Sequence, residues 1–230
     1  MTVNFTTWKG ITDGQRYGIP DSVVNNLDIW YPMDEGSGTL VADSLDGVNI
    51  TWLPETWSTG VNLYNGAGID LENEDTTFES QTFDINGPVS FCVWCFNDGS
   101  NSTPFAIGNE ADGSDYYGFR TQGDLLDVIV SDSGSRSSTD NVSSSVGDHV
   151  FAGIAIDNGS ATLDIWNETQ KVGSMTDSVA DILPISNGVV WGGFENTNFY
   201  NDVVDAGGVA IGNSLSETQF EDIWNDTKPE

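Results

Sequence analysis

The chain has 230 residues, 36 of them Asp or Glu against six Lys or Arg, which gives a formal net charge of −30 at pH 7. Hydrophobic residues at 37% and aromatics at 11%, including eight tryptophans, exclude a disordered acidic chain, because such a composition can build a core. Six cations cannot neutralise a phosphate track, so nucleic acid is excluded as a partner, and an anionic membrane surface would repel the chain.

Residues 1–26 are rich in Gly, Thr and Asn, hold two of the six cations (Lys9 and Arg16) and lack strand periodicity. They are read as an N-terminal arm that docks onto a neighbouring subunit or particle scaffold. Residues 27–230 are read as one domain in which the dominant period is two. Strands are expected at Leu27–Tyr31, Gly60–Tyr64, Val89–Phe96, Leu125–Val130, Val150–Ile156, Ala161–Trp166 and Gly188–Trp191, with Gly, Asn, Asp and Ser clustered between them. Asp157-Asn-Gly-Ser160 predicts a tight hairpin. Cys92 and Cys95 are three apart on one strand and so face opposite ways, which makes them buried, reduced thiols rather than a bridge. Near the end, Ser216-Glu-Thr-Gln219 is a capping box flanked by the staple residues Leu215 and Phe220, and predicts a helix over 216–225. Phe220, Ile223 and Trp224 share one face of that helix and should dock on the sheets. The expected fold is all-β: a two-sheet antiparallel jelly-roll sandwich with one short C-terminal helix.

The acids are scattered from Asp13 to Glu230 rather than gathered in a tail. Scattered acids over a hydrophobically patterned chain read as a hydrated shell suited to very high salt, hence to a halophilic organism or its virus. No run of 18 or more apolar residues marks a membrane span, and Met1–Gly10 lacks the pattern of a secretory signal.

Several segments carry a resemblance. Trp30–Gly47, Val61–Gly66, Pro88–Trp94, Gly147–Asp157 and Gly208–Phe220 follow one another as do segments of laminin-G-like domains of the concanavalin A-like lectin/glucanase superfamily. The resemblance spans about 27–225 and implies two curved antiparallel sheets packed face to face. It places His149 at a strand start, where a structural role is expected. It also admits a calcium ion at the sandwich edge. Where that branch often carries an Asp, this chain has Gly207 or Gly208, with Asp205 as a substitute and Asp98, Asp112 and Asp115 as further oxygen sources, so no metal residue is named. The glucanase branch uses a Glu-x-Asp-x-(x)-Glu strand, and no such strand is present: Glu72-Asn-Glu-Asp75 lacks the apolar interleaving. With no nucleophile elbow and no HExxH either, no catalytic residue is named and no enzymatic activity is expected.

For ligand binding, the aromatics Tyr116, Tyr117, Trp191, Phe199 and Tyr200 fall in or next to segments read as polar loops, where rings flanked by Asn and Asp suit a sugar. Seven Asn-x-Ser/Thr triplets, among them Asn101, Asn158 and Asn167, give a weak signal for glycosylation. A sandwich of a type that usually acts outside cells, yet without an export signal, fits a virion. The expected function is a non-enzymatic surface protein of a haloarchaeal virus particle: a capsid decoration, turret or tail-associated subunit. Its partners would be other virion proteins, copies of itself and host surface glycans. A carbohydrate-binding cell-surface or secreted module of a haloarchaeon is the alternative, and a divergent glycan hydrolase a third reading. Because close packing of so many like charges needs screening, lowering the salt from molar to about 0.1 M should lower Tm markedly, followed by circular dichroism; an unchanged Tm would contradict the surface reading of the acids.

Overall fold

The structure, a computed structural model, describes residues 19–33, 40–41, 44–45, 50–51, 57–59, 67–70, 78–79, 83–108, 114–191 and 203–229. In chain order the elements are α1 (Asp21–Asn26), β1 (Ile29–Tyr31), β2 (Leu40–Val41), β3 (Ile50–Thr51), β4 (Trp57–Thr59), β5 (Ala67–Asp70), β6 (Phe78–Glu79), β7 (Phe83–Ile85), β8 (Val89–Phe96) and β9 (Ser102–Gly108). They continue with β10 (Tyr116–Gln122), β11 (Leu125–Asp132), β12 (Ser135–Ser138), β13 (Val142–Ser143), β14 (His149–Asp157), β15 (Ser160–Asn167), β16 (Lys171–Ser178), β17 (Ile185–Trp191), β18 (Val203–Ile211) and α2 (Glu217–Thr227).

Two antiparallel sheets face each other, as the period-two pattern predicts. The first runs β16-β15-β14-β8-β18-β5-β4, with β1 also paired to β18; the second runs β12-β11-β10-β9-β17-β6, with β13 on β11 and β7 on β17. Strand β8 is the axis of the first sheet, paired to β14 from Ile156↔Val89 to His149↔Phe96 and to β18 on its other side. Its residues alternate between two cores. Phe91, Val93 and Cys95 enter the layer between the sheets, with Phe105, Tyr117, Phe119, Val128 and Ile154. Cys92 and Trp94 face the other way, into a second cluster with Trp30, Phe151, Trp166, Phe220 and Trp224. The two cysteines are buried and unbridged, and burial pushes the Cys92 thiol up to about 12, so it is chemically inert.

Helix α2 covers the outer face of the first sheet. Ser216 and Gln219 form the reciprocal capping box, and Phe220, Ile223, Trp224 and Thr227 are buried. The indole N–H of Trp94 donates to Thr227 Oγ1 at 2.8 Å, and that of Trp224 to the Asn167 carbonyl at 2.8 Å, which fixes the helix to β8 and β15. Gly153 on β14 makes room: a Cβ there would lie 2.6 Å from Phe220 Cγ. Helix α1 joins the same layer through Val23, with Leu27 beside it. Residues 20–26 of the expected arm thus pack on their own sandwich, while residues 1–18 lie outside the described residues, as does the strand expected at Gly60–Tyr64 apart from its neighbours.

The polar stretch read as a loop before Tyr116 contains strand β9, and Tyr116-Tyr117 open strand β10 rather than ending a loop. Ser, Thr and Gly weaken the alternation there, yet Phe105, Ile107, Tyr117 and Phe119 all reach the inter-sheet core. Gly153→Ala should cost about 1–3 kcal/mol through overpacking against Phe220, read as a lower Tm in chemical or thermal melts. Gly87→Ala, where a Cβ meets nothing within 4 Å, is the matched control and should stay within about 0.5 kcal/mol of the parent.

Candidate functional site

Among the described residues, the aromatics singled out for sugar binding do not form a surface. Tyr116 and Tyr117 are fully buried and Trp191 is 2% exposed, so none can offer a ring to a ligand. Tyr117 is an internal strut: its hydroxyl donates to the Ala180 carbonyl at 3.0 Å and accepts from Ile182 N–H at 3.1 Å. Burial pushes its phenol up to about 12. The Trp191 ring meets Phe105 edge-on at 4.2 Å and Tyr31 at 5.9 Å, and lies over Gly207, where a Cβ would come within 2.5 Å of it. That contact leaves no room for a side chain at position 207. Phe199 and Tyr200 lie outside the described residues.

A different constellation forms where β8, β14 and β15 end together. The register puts His149 opposite Phe96, and Val150 opposite Asn167. The His149 imidazole is sandwiched between Phe96, stacked at 4.6 Å, and Trp94 at 4.7 Å. Its Nε2 lies 3.1 Å from Asp205 Oδ1 and its Nδ1 3.4 Å from Glu168 Oε1. Asp205 is the extra residue of a bulge in β18: Val204 pairs with Cys95 and Ala206 with Trp94, leaving Asp205 between them and fully buried. Burial alone would lower the imidazole pKa, but the facing carboxylates of Asp205 and then Glu168 outweigh it, so His149 titrates above its ordinary value. The structural role expected of His149 is thus joined to a surface, because Glu168 is 42% exposed.

This end of the sheet is concave. A cavity of about 280 Å³ opens beside Phe96, His149, Glu168 and Thr169, and an adjoining one of about 440 Å³ is lined by Asp124, Ser143, Gln170 and Lys171. The two share Asp148 and Asn167 as wall residues and lie side by side as a strand-end groove. Its framework is tied down locally. Asn167 Oδ1 accepts from the Thr169 and Gln170 N–H groups, each at 2.9 Å, and Asp148 Oδ2 accepts from Ser144 Oγ and Ser145 N–H, each at 3.0 Å. Lys171 Nζ bridges Asp164 at 2.7 Å and Glu217 at 2.6 Å while lying 5.5 Å above the Trp166 ring. Carboxylates, amides and hydroxyls around one aromatic edge supply the donors and acceptors that sugar hydroxyls need. Sequence reasoning had flagged His149 and Asn167 for other reasons. Phe96, Asp148, Glu168 and Gln170 carried no signal, because only strand register brings them together.

Among the described residues no group of three or more His, Cys, Asp or Glu could hold a metal ion. Of the oxygen sources considered for calcium, Asp205 faces His149, Asp98 accepts from Ser100, Ser102 and Thr121, and Asp115 Oδ1 accepts from Ser133 N–H at 2.7 Å. Asp112 lies outside the described residues.

No protein-family model and no curated protein matches the sequence. Solved structures are similar in fold. The binding domain of Paraclostridial Mosquitocidal Protein 1 superposes with TM-score 0.60 and 13% identity, over 88% of this chain and 52% of that one. Botulinum neurotoxin type C, which depends upon interaction with two ganglioside molecules to get into cells, gives 0.58 and 10% over 90% and 52%. Trypanosoma rangeli sialidase gives 0.64 and 11% over 96% and 37%. This chain therefore spans about half of the toxin chains and about a third of the sialidase, and at such identities the likeness shows the β-sandwich fold alone.

One expectation is overturned by these likenesses. No enzymatic activity was expected, yet a sialidase, an enzyme, is among the structures that share this sandwich.

His149 yields a pH prediction. Since its folded pKa lies above the ordinary 6.5, the protonated cluster stabilises the fold below that value and loses its contribution as pH rises through the folded pKa. Between about pH 6 and about pH 9 the parent Tm should therefore fall relative to His149→Gln, and parallel curves for the two proteins would refute the linkage.

Proposed function

We propose that this chain is a carbohydrate-binding β-sandwich on the surface of a haloarchaeal virus particle, where it engages host glycans in very high salt. The observation that carries the binding reading is the pair of adjoining cavities at the ends of β8, β14 and β15, with Phe96 lining one of them, Glu168 and Gln170 on the rim, and a framework locked by Asn167 and Asp148. A preformed polar groove loses little freedom when a ligand enters it. The ganglioside dependence of a neurotoxin with the same sandwich supports glycans as the ligand class and attachment to cells as the role. The net charge of −30 supports the saline setting. Within the sandwich fold, the laminin-G-like branch fits the order of segments from Trp30 to Phe220.

A glycan array probed in about 2 M KCl tests the reading. Glu168→Gln and Gln170→Ala, neither a core residue, should each weaken the retained glycan about tenfold, the loss of one hydrogen bond to a rim group. Retention of no glycan, or unchanged binding by both variants, would overturn the groove as the site. Mass spectrometry of purified particles tests the location, which fails if the chain is absent from them.

A further inference from the structure

His149 is the only histidine of the chain, and the strand-end cluster sets it between two acceptors of unequal freedom. Asp205 lies 3.1 Å from Nε2 and is fully buried, its place fixed by the bulge in β18. Glu168, 3.4 Å from Nδ1, sits in the turn between β15 and β16, reaches the surface and lines the groove. From β8 the imidazole meets the rings of Phe96 and Trp94, which hold its plane. The carboxylate of Asp148, the preceding residue, is engaged with Ser144 and Ser145. Nδ1 is buried without a hydrogen bond of its own, so Glu168 is the group that compensates its proton.

The chemistry of the ring makes the two contacts unequal. An ionised carboxylate only accepts, while a neutral imidazole carries one N–H and an imidazolium carries two. The protonated ring therefore answers both carboxylates. The neutral ring answers one and turns a lone pair toward the other. Asp205 has no solvent to replace a lost donor, and a buried carboxylate in that state is strongly disfavoured. Glu168 can move off and be hydrated instead. The proton given up is thus the one on Nδ1, and the side chain released is Glu168.

We infer that His149 is a positioning residue for recognition in the strand-end groove, a role that rests on that groove binding glycans. Its imidazolium holds the Glu168 carboxylate at the groove wall, where it accepts from sugar hydroxyls. Loss of the Nδ1 proton lets Glu168 swing into solvent and weakens the hold on the glycan. Histidine is the side chain whose ordinary titration falls in the physiological range, and this chain has one. Burial opposes its charge, but the carboxylates of Asp205 and Glu168 outweigh burial and move the titration above the ordinary 6.5. Binding is therefore strongest below that titration and declines as pH rises through it.

With a single histidine, the imidazole signals in 15N NMR are assigned by composition alone. In about 2 M KCl both ring nitrogens should be protonated at low pH, and only Nε2 above the midpoint. Glu168→Gln should lower that midpoint. A glycan array is then run at about 1.5 pH units below and above the parent midpoint. Glycans retained by the parent should bind about tenfold more weakly at the higher pH. Glu168→Gln, which leaves the core intact, should bind weakly and equally at both, and His149→Gln should lose the pH dependence. A histidine that only braced the fold would leave glycan binding by the folded parent independent of its titration. A neutral ring protonated on Nδ1, or a midpoint unchanged by Glu168→Gln, would overturn the contact. A glycan held equally at both pH values would overturn the positioning role and leave the groove as the site; retention at neither pH would overturn both.

Discussion

The structure depends on burying one sheet on both faces. In an open sandwich the outer face of each sheet can meet water, and its strands alternate between apolar and polar residues. Strand β8 reads Val89-Ser-Phe-Cys-Val-Trp-Cys-Phe96 without a charge, and each parity has its own core. The outward parity must be covered, and the chain supplies the cover from both ends: α1 and the residues after it from one side, and the capped helix α2 from the other. The hydrogen bonds from Trp94 to Thr227 and from Trp224 to Asn167 are the polar side of the same contact, since buried indole N–H groups need partners. Gly153 belongs to this constraint too. It is a strand residue whose only requirement is the Phe220 ring above it.

Covering that face determines where a ligand can approach. The helix layer closes the outer surface of the first sheet, and the inter-sheet layer is filled. What remains among the described residues is the end of the sheet, where strands stop, and the outer face of the second sheet, which carries no helix. The strand-end groove exploits the first. Its central histidine is held by stacking on Trp94 and Phe96, both products of the β8 alternation, and by Asp205, aimed by a bulge. The site is thus built by the same strand that organises the core, with a local irregularity turning one carboxylate inward.

The sandwich, the hairpin at Asp157–Ser160 and the capped helix could be read from the sequence because each depends on neighbours in the chain: alternation, turn chemistry, or a Ser and a Gln three residues apart. The site could not, because its members are related by register. Phe96 and His149 are paired across two strands, and Asp205 reaches them only because β18 is one residue out of step there. For Tyr116 and Tyr117 the aromatic reading failed for a related reason. Tyr116 and Tyr117 adjoin glycines, serines and acids, which mimic a loop in one dimension, yet strand pairing places both rings inside. Sequence composition distinguishes wet from dry residues only on average, and aromatic residues next to polar neighbours are where the average misleads.

The acids divide into two populations, and the division gives the scarce cations a purpose. Three aspartates are buried among the described residues, Asp127, Asp164 and Asp205, and each faces a different cation: Arg120, Lys171 and His149. Burial raises the carboxyl pKa of Asp127 and of Asp164, with the arginine and the lysine partly offsetting the shift. A buried carboxylate without such a partner would be far more costly than an exposed one in salt water. A chain with only six Lys or Arg thus sets two of them, and its one histidine, against buried carboxylates.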